Sequence, residues 1–138
     1  MNPTDSAIIL YAVVAAATLV YLPFTVVAYA RLQVGNAFSA PRAMFEKLPP
    51  YAQRATWAHQ NSFETFIIFS AAAFMAYVTG QSSSVATGAA IAFVIARAFY
   101  SLFYIFNIPW ARSLMFGIGT LSCVTLFVLS LSTVSSSV

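Results

Sequence analysis

Four long apolar stretches, separated by short polar breaks, dominate the chain. The first, about residues 6–32, carries no charge before Arg31, and about 20 apolar residues suffice to cross a bilayer. Pro23 falls inside it and predicts a kink, which neighbouring helices tolerate in a membrane. From Gln33 to Pro50 the pattern breaks: Gly35, Asn36, Pro41, Pro49 and Pro50 interrupt helix, while Arg42, Glu46 and Lys47 want water. The second stretch, about 51–79, has a polar first half, YAQRATWAHQNSFE, and an apolar second half, TFIIFSAAAFMAYVT, with Gly80 as its stop. The third, about 85–106, holds Arg97 roughly halfway along, and NIPWAR follows as a short turn in which Pro109 stops the helix. The fourth, about 113–134, is uncharged. No sequence repeat appears, so an inverted-repeat transporter plan has no support. The expected fold class is an all-α integral membrane protein, a four-helix transmembrane bundle forming one domain over residues 1–138.

Composition strengthens that expectation. The chain is 61% hydrophobic and 7% charged, against roughly 25% charged residues in soluble domains, so it could not cover a water-facing surface. Its net charge of +3 rests on six scattered basic residues, too sparse for a nucleic-acid footprint. Cys123 stands alone in an apolar stretch, which rules out an internal disulfide or a CxxC metal site and reads as a small buried hydrophobe. The start MNPTDSA has no Lys or Arg, and the apolar run that follows is longer than a signal h-region, so a retained membrane helix is expected. Arg31, Arg42, Lys47 and Arg54 cluster around the first loop and Arg112 marks the third. The remaining loop and both termini carry no Lys or Arg. The positive-inside rule then predicts basic loops in the cytoplasm and both termini outside it. The sequence carries no KDEL-type retention tail, and a bacterial inner membrane and the endoplasmic reticulum are both compatible.

The chemistry is concentrated in a few charges inside the spans. A charged residue at the centre of a membrane helix costs on the order of 3 kcal/mol, so Glu64 and Arg97 should face the bundle interior, pair with each other, and mark a site. At about 100° per residue, Arg54, Trp57, Asn61 and Glu64 fall within one arc of the second helix. Arg97, Tyr100 and Tyr104 share a face of the third by their i, i+3, i+7 spacing. The two stripes can meet across one cavity, which Arg31 and Arg112 can close. Such a cavity offers guanidinium groups, an amide, a carboxylate and two phenols. It suits a small zwitterionic peptide better than a metal or a nucleotide. The bland reading of the tyrosines is interfacial anchoring. His59 points about 140° from Arg54 and reads as a capped or interfacial residue rather than a base. Gly117 and Gly119 read as close helix packing. No Ser-His-Asp set, phosphate loop or metal-ligand spacing occurs.

RATWAHQNSFE resembles the R-x-x-R-A-H-x-N-x-x-E signature of the second helix in the MAPEG family, the membrane-associated proteins of eicosanoid and glutathione metabolism. ARAFYSLFYIFNIPWARS resembles that family's third-helix stretch, R-x-x-[YH]-x-x-x-Y, with the turn and Arg-Ser pair that follow. The resemblance covers nearly the whole chain. It implies a homotrimer surrounded by lipid, with glutathione held between adjacent subunits near the cytoplasmic face. It implies that Arg31, Asn61, Glu64, Tyr100 and Tyr104 contact glutathione, and that Arg97 pairs with Glu64. Arg54 and His59, which occupy signature positions, join the cofactor-binding set. Arg112, with Ser113 beside it, would stabilise the glutathione thiolate, the true nucleophile. A lipophilic substrate would arrive from the bilayer between helices one and four.

Two positions depart from the pattern. The signature's second arginine is Trp57 here, and Gln60 stands at a position that is basic in some members. Losing that arginine removes a charge-assisted pair worth about 1.5–3 kcal/mol, roughly ten- to a hundredfold in affinity. Arg54, one turn away, could substitute from a different place. Glu46 is the only acid in the first loop. Three function classes follow: a glutathione-dependent transferase or peroxidase, a non-catalytic member of the same fold that binds a lipid or partner protein, and a small multidrug-type exporter. The exporter reading expects a glutamate in the first helix without an arginine partner, which this chain lacks.

Overall fold

The computed structural model describes residues 3–35 and 42–136, which form four long α-helices and one 3₁₀ turn. These are α1 (Pro3–Val34), the 3₁₀ turn (Phe45–Lys47), α2 (Pro50–Val78), α3 (Ser84–Ile105) and α4 (Pro109–Ser136). All four helices are long and apolar enough to cross a membrane, and α2, with its polar first half, is the least apolar.

Local chemistry sets the helix ends. Pro50 opens α2 at its first position, where a missing N–H costs nothing. At the other end Gly80 adopts φ 71°. The Gln81 N–H reaches the Ala76 carbonyl at 2.9 Å and the Gly80 N–H reaches Tyr77 at 3.1 Å, a Schellman closure. Ser83 caps α3 by accepting the Ala86 N–H at 3.1 Å. The turn into α4 differs from the sequence expectation. Pro109 does not stop α3 but begins α4, four residues before the expected start of that span. The stop is Asn107, which takes φ 59°, a left-handed conformation that a short polar side chain tolerates.

The bundle packs on small residues. Alanines 12, 16, 72, 73, 76, 86 and 90 surround Ile9, Phe69, Phe93 and Leu126 in the main core. There Phe69 and Phe93 stack with centroids 3.9 Å apart. In a bilayer, close backbone approach replaces the hydrophobic drive between helices, which is why alanine serves here. A second cluster of Val27, Ala30, Leu48, Ala52 and Ala55 joins α1 to the start of α2. α2 and α3 form the middle of the bundle. α1 packs on both from one flank and α4 on both from the other, so α1 and α4 scarcely meet. This arrangement leaves two separate clefts at the end of the bundle that carries the basic loops.

Candidate functional site

Arg97 anchors the site. It is 4% exposed, and its position on α3 points it into α2. Its Nη2 donates to Asn61 Oδ1 at 3.0 Å and to Ser62 Oγ at 3.1 Å. Its guanidinium also lies 3.9 Å from the centre of the Tyr100 ring. The expected Glu64–Arg97 ion pair is absent among the described residues. Glu64 sits one turn beyond Asn61 and is exposed, while the amide and the hydroxyl both accept from Arg97 Nη2 and the Arg97 Nε is buried without a hydrogen-bond partner. Helical spacing put Asn61 and Glu64 on the same stripe but could not say which of them the arginine reaches.

One turn towards the α3–α4 loop, a cavity of about 290 Å³ is lined by Asn61, Tyr100, Tyr104, Arg112, Ser113 and Phe116. Five of these six are residues the sequence singled out. The Arg112 guanidinium lies 4.6 Å from the Tyr104 ring centre, and Tyr100 meets Tyr104 edge to face at 5.6 Å. The two phenols and the cation are therefore held by each other, on α3 and the first turn of α4. Phe116, one turn beyond Arg112, gives the cavity an apolar wall that sequence reasoning missed. The i, i+4 step from Arg112 was the available signal.

The other cleft lies between α1 and α2. Its cavity of about 590 Å³ is lined by Phe24, Val27, Arg31, Arg42, Phe45, Thr56, His59 and Gln60. This placement corrects a second expectation: Arg31 does not close the cavity that holds Arg112. It stands at the end of α1, across the bundle from α4, and its Nε is buried without a partner. Arg54 is likewise drawn away from the stripe. Its Nε donates to the Ile105 carbonyl at 3.0 Å, capping the last turn of α3, where a cation suits the helix dipole. Trp57 packs on Phe45 of the 3₁₀ turn, with ring centres 5.6 Å apart.

His59 is capped, as expected, and its cap crosses between helices. Its Nδ1 lies 2.7 Å from the Val20 carbonyl of α1. The rings of Tyr21 and Phe24 flank it at 5.9 and 5.2 Å. Pro23, inside α1, has no N–H to give the Leu19 carbonyl, one residue before Val20. No group of three or more His, Cys, Asp or Glu that could hold a metal occurs among the described residues.

The model of the MAPEG family matches residues 8–132. The chain belongs to the MAPEG family. That membership, with four spans able to cross a bilayer, makes it a multi-pass integral membrane protein. No curated protein and no solved structure matches the chain. As in the resemblance drawn from RATWAHQNSFE, this MAPEG chain carries its polar groups on α2, α3 and the start of α4. With Arg31 at the end of α1 they divide between two cavities rather than one.

Proposed function

We propose that this MAPEG protein is a glutathione-dependent transferase or peroxidase acting on lipophilic electrophiles or lipid hydroperoxides. The observation that carries this reading is the cavity in which Asn61, Tyr100, Tyr104, Arg112 and Ser113 converge. The donor set suits the tripeptide. Arg31 and Arg42 stand ready for its carboxylates in one cavity, and Arg112 lines the other. Phenols, an amide and a hydroxyl can meet its peptide groups.

Arg112 has the central role. A guanidinium beside a thiol favours the thiolate, and the thiolate is the nucleophile. Tyr104 holds Arg112 from its ring face, leaving the edge donors free for sulfur. Glutathione supplies the sulfur that bonds to an electrophilic carbon or takes an oxygen from a hydroperoxide. The lipophilic partner needs no water path, because this end of the bundle opens to lipid along the apolar faces of its helices.

The same reading includes a homotrimer. Glu64 lies about 21 Å along α2 from Pro50, at mid-span by helix rise, and among the described residues no cation pairs with it. A carboxylate left facing lipid at that depth is costly, so a second copy is its natural cover. With copies side by side, the α1/α2 cavity of one chain can face the Arg112 cavity of the next and make one site. The basic loops support a site on the cytoplasmic side, with both termini across the membrane.

The test is a calorimetric titration of the protein in mild detergent with glutathione, following thiolate absorbance in the same samples. The expected result is binding with a thiolate signal that Arg112→Ala abolishes. Full conjugation activity in Arg112→Ala would remove the mechanism. A second reading is favoured by Trp57, which is packed on Phe45 where the signature has its clamp arginine. In that reading the protein keeps the fold, lacks catalysis, and binds a lipid or partner protein. Failure to bind millimolar glutathione would select it.

A further inference from the structure

Arg42 comes to the α1/α2 cavity from the first loop rather than from a helix. It lines that cavity together with Phe45 and Arg31, and no Asp or Glu borders the space. The Arg31 Nε is buried with no partner. Two guanidinium groups, which can only donate, therefore border a cavity that offers them no anion. The last turn of α1 fixes the backbone of Arg31. Arg42 is exposed and belongs to no helix, so its place at the cavity depends on what holds the loop.

α2 holds it. Gln53, in the first turn of that helix, reaches back over the 3₁₀ turn. Its Nε2 donates to the Phe45 carbonyl at 3.3 Å and to the Leu48 carbonyl at 3.1 Å. Both partners only accept, so the side-chain amide must present its NH₂ group to them. The Phe45 N–H in turn reaches the Arg42 carbonyl at 3.4 Å. One side-chain amide is thus linked to the Arg42 backbone through a single residue. The Phe45 ring also rests on Trp57, one turn further along α2. Met44 and Leu48 are buried on either side of the turn, Leu48 among Val27, Ala30, Ala52 and Ala55. Gln53 stands just before the stretch RATWAHQNSFE, outside the polar stripe that carries the other candidate residues.

We propose that Gln53 is a positioning residue, which sets the 3₁₀ turn so that Arg42 binds a ligand carboxylate in the α1/α2 cavity beside Arg31. This rests on the glutathione reading above and makes Arg42 the contact for one carboxylate of the tripeptide. The argument is entropic. A loop arginine that is free beforehand loses backbone and side-chain freedom when it binds. A turn tied down in advance leaves only the side chain to be ordered. Removing the tie therefore weakens the contact that Arg42 makes and no other.

The test is calorimetry of glutathione with the wild type, Arg42→Ala, Gln53→Met and the double variant, all in mild detergent. Methionine keeps the length of glutamine and loses both donors. Arg42→Ala should weaken binding roughly tenfold. Gln53→Met should weaken it severalfold, and the double variant should match Arg42→Ala, because Gln53 acts only through Arg42. The two monoamides of glutathione, one for each carboxylate, give a readout that general loosening of the fold would not move. One of them should bind all four proteins equally, since it lacks the carboxylate that Arg42 holds. A loss from Gln53→Met that persists beside Arg42→Ala, or that both amides show, would overturn the positioning role and leave the glutathione reading standing. Arg42 is exposed, so Arg42→Ala folds whatever the fate of Gln53→Met, and unchanged affinity in Arg42→Ala would by itself overturn the proposal. If the wild type does not bind glutathione, both readings fall together.

Discussion

Arg97 is a buried cation whose neutralisation comes from an amide, a hydroxyl and an aromatic face rather than a carboxylate. Hydrogen bonds to a charged group contribute about 1.5–3 kcal/mol each, and a buried donor left without its acceptor pays its desolvation in full. Ser62→Ala should therefore destabilise the protein by about 2 kcal/mol, lowering its unfolding midpoint in detergent. Glu64→Gln should leave the midpoint of the dissociated chain nearly unchanged, since among the described residues no salt bridge or hydrogen bond of Glu64 is seen and its side chain is exposed. Comparable losses for both would restore the Glu64–Arg97 pair. Trp57 makes the opposite kind of prediction. Trp57→Arg returns the arginine of the signature and should tighten glutathione binding by roughly ten- to a hundredfold in calorimetry. No gain would mean that the lost arginine does not limit affinity here.

At the scale of helices, the spans were legible because burying about 20 apolar residues leaves a mark that nothing else imitates. Gly80 was legible too, since a helix that must stop before GQSSS needs a residue at positive φ. Gly80→Ala keeps every contact and forces a Cβ into that conformation, so it should cost about 1 kcal/mol or more, read as a lower unfolding midpoint. Pro109 was misread because proline is both a helix breaker and a favoured first residue. The sequence could not show that Asn107 had already ended α3. Within the site, Asn61, Tyr100 and Tyr104 were found by spacing, because helical periodicity reports a shared face, while Arg112 was placed by its position at the start of the fourth span and Ser113 by the resemblance to the family. Periodicity is silent about which helix lies opposite that face. Arg54 shares the stripe of Asn61 and still turns to cap α3 at Ile105. Arg31 ends up across the bundle from Arg112 for the same reason. The contact of His59 with Val20 crosses to a different helix, and no pattern within RATWAHQNSFE contains it.

At the scale of the molecule, two separate cavities lie on opposite flanks of the α2/α3 pair, and the proposed function treats them as two halves of a shared site. Arg31 and His59 line one, and Tyr104 and Arg112 line the other. Glu64 is exposed at mid-span on the outer face of α2. In the proposed homotrimer a heterologous ring would join unlike faces of neighbouring copies and so bring the two cavities together. The decisive measurement is glutathione binding by oligomers co-assembled from Arg31→Ala and Arg112→Ala chains. Each variant alone should bind weakly. In random mixtures about one interface in four pairs two undamaged halves, so high-affinity binding should return at about a quarter of wild-type capacity. If the mixed oligomers bind no better than the separate variants, the site lies within one chain and the account of two shared halves is wrong.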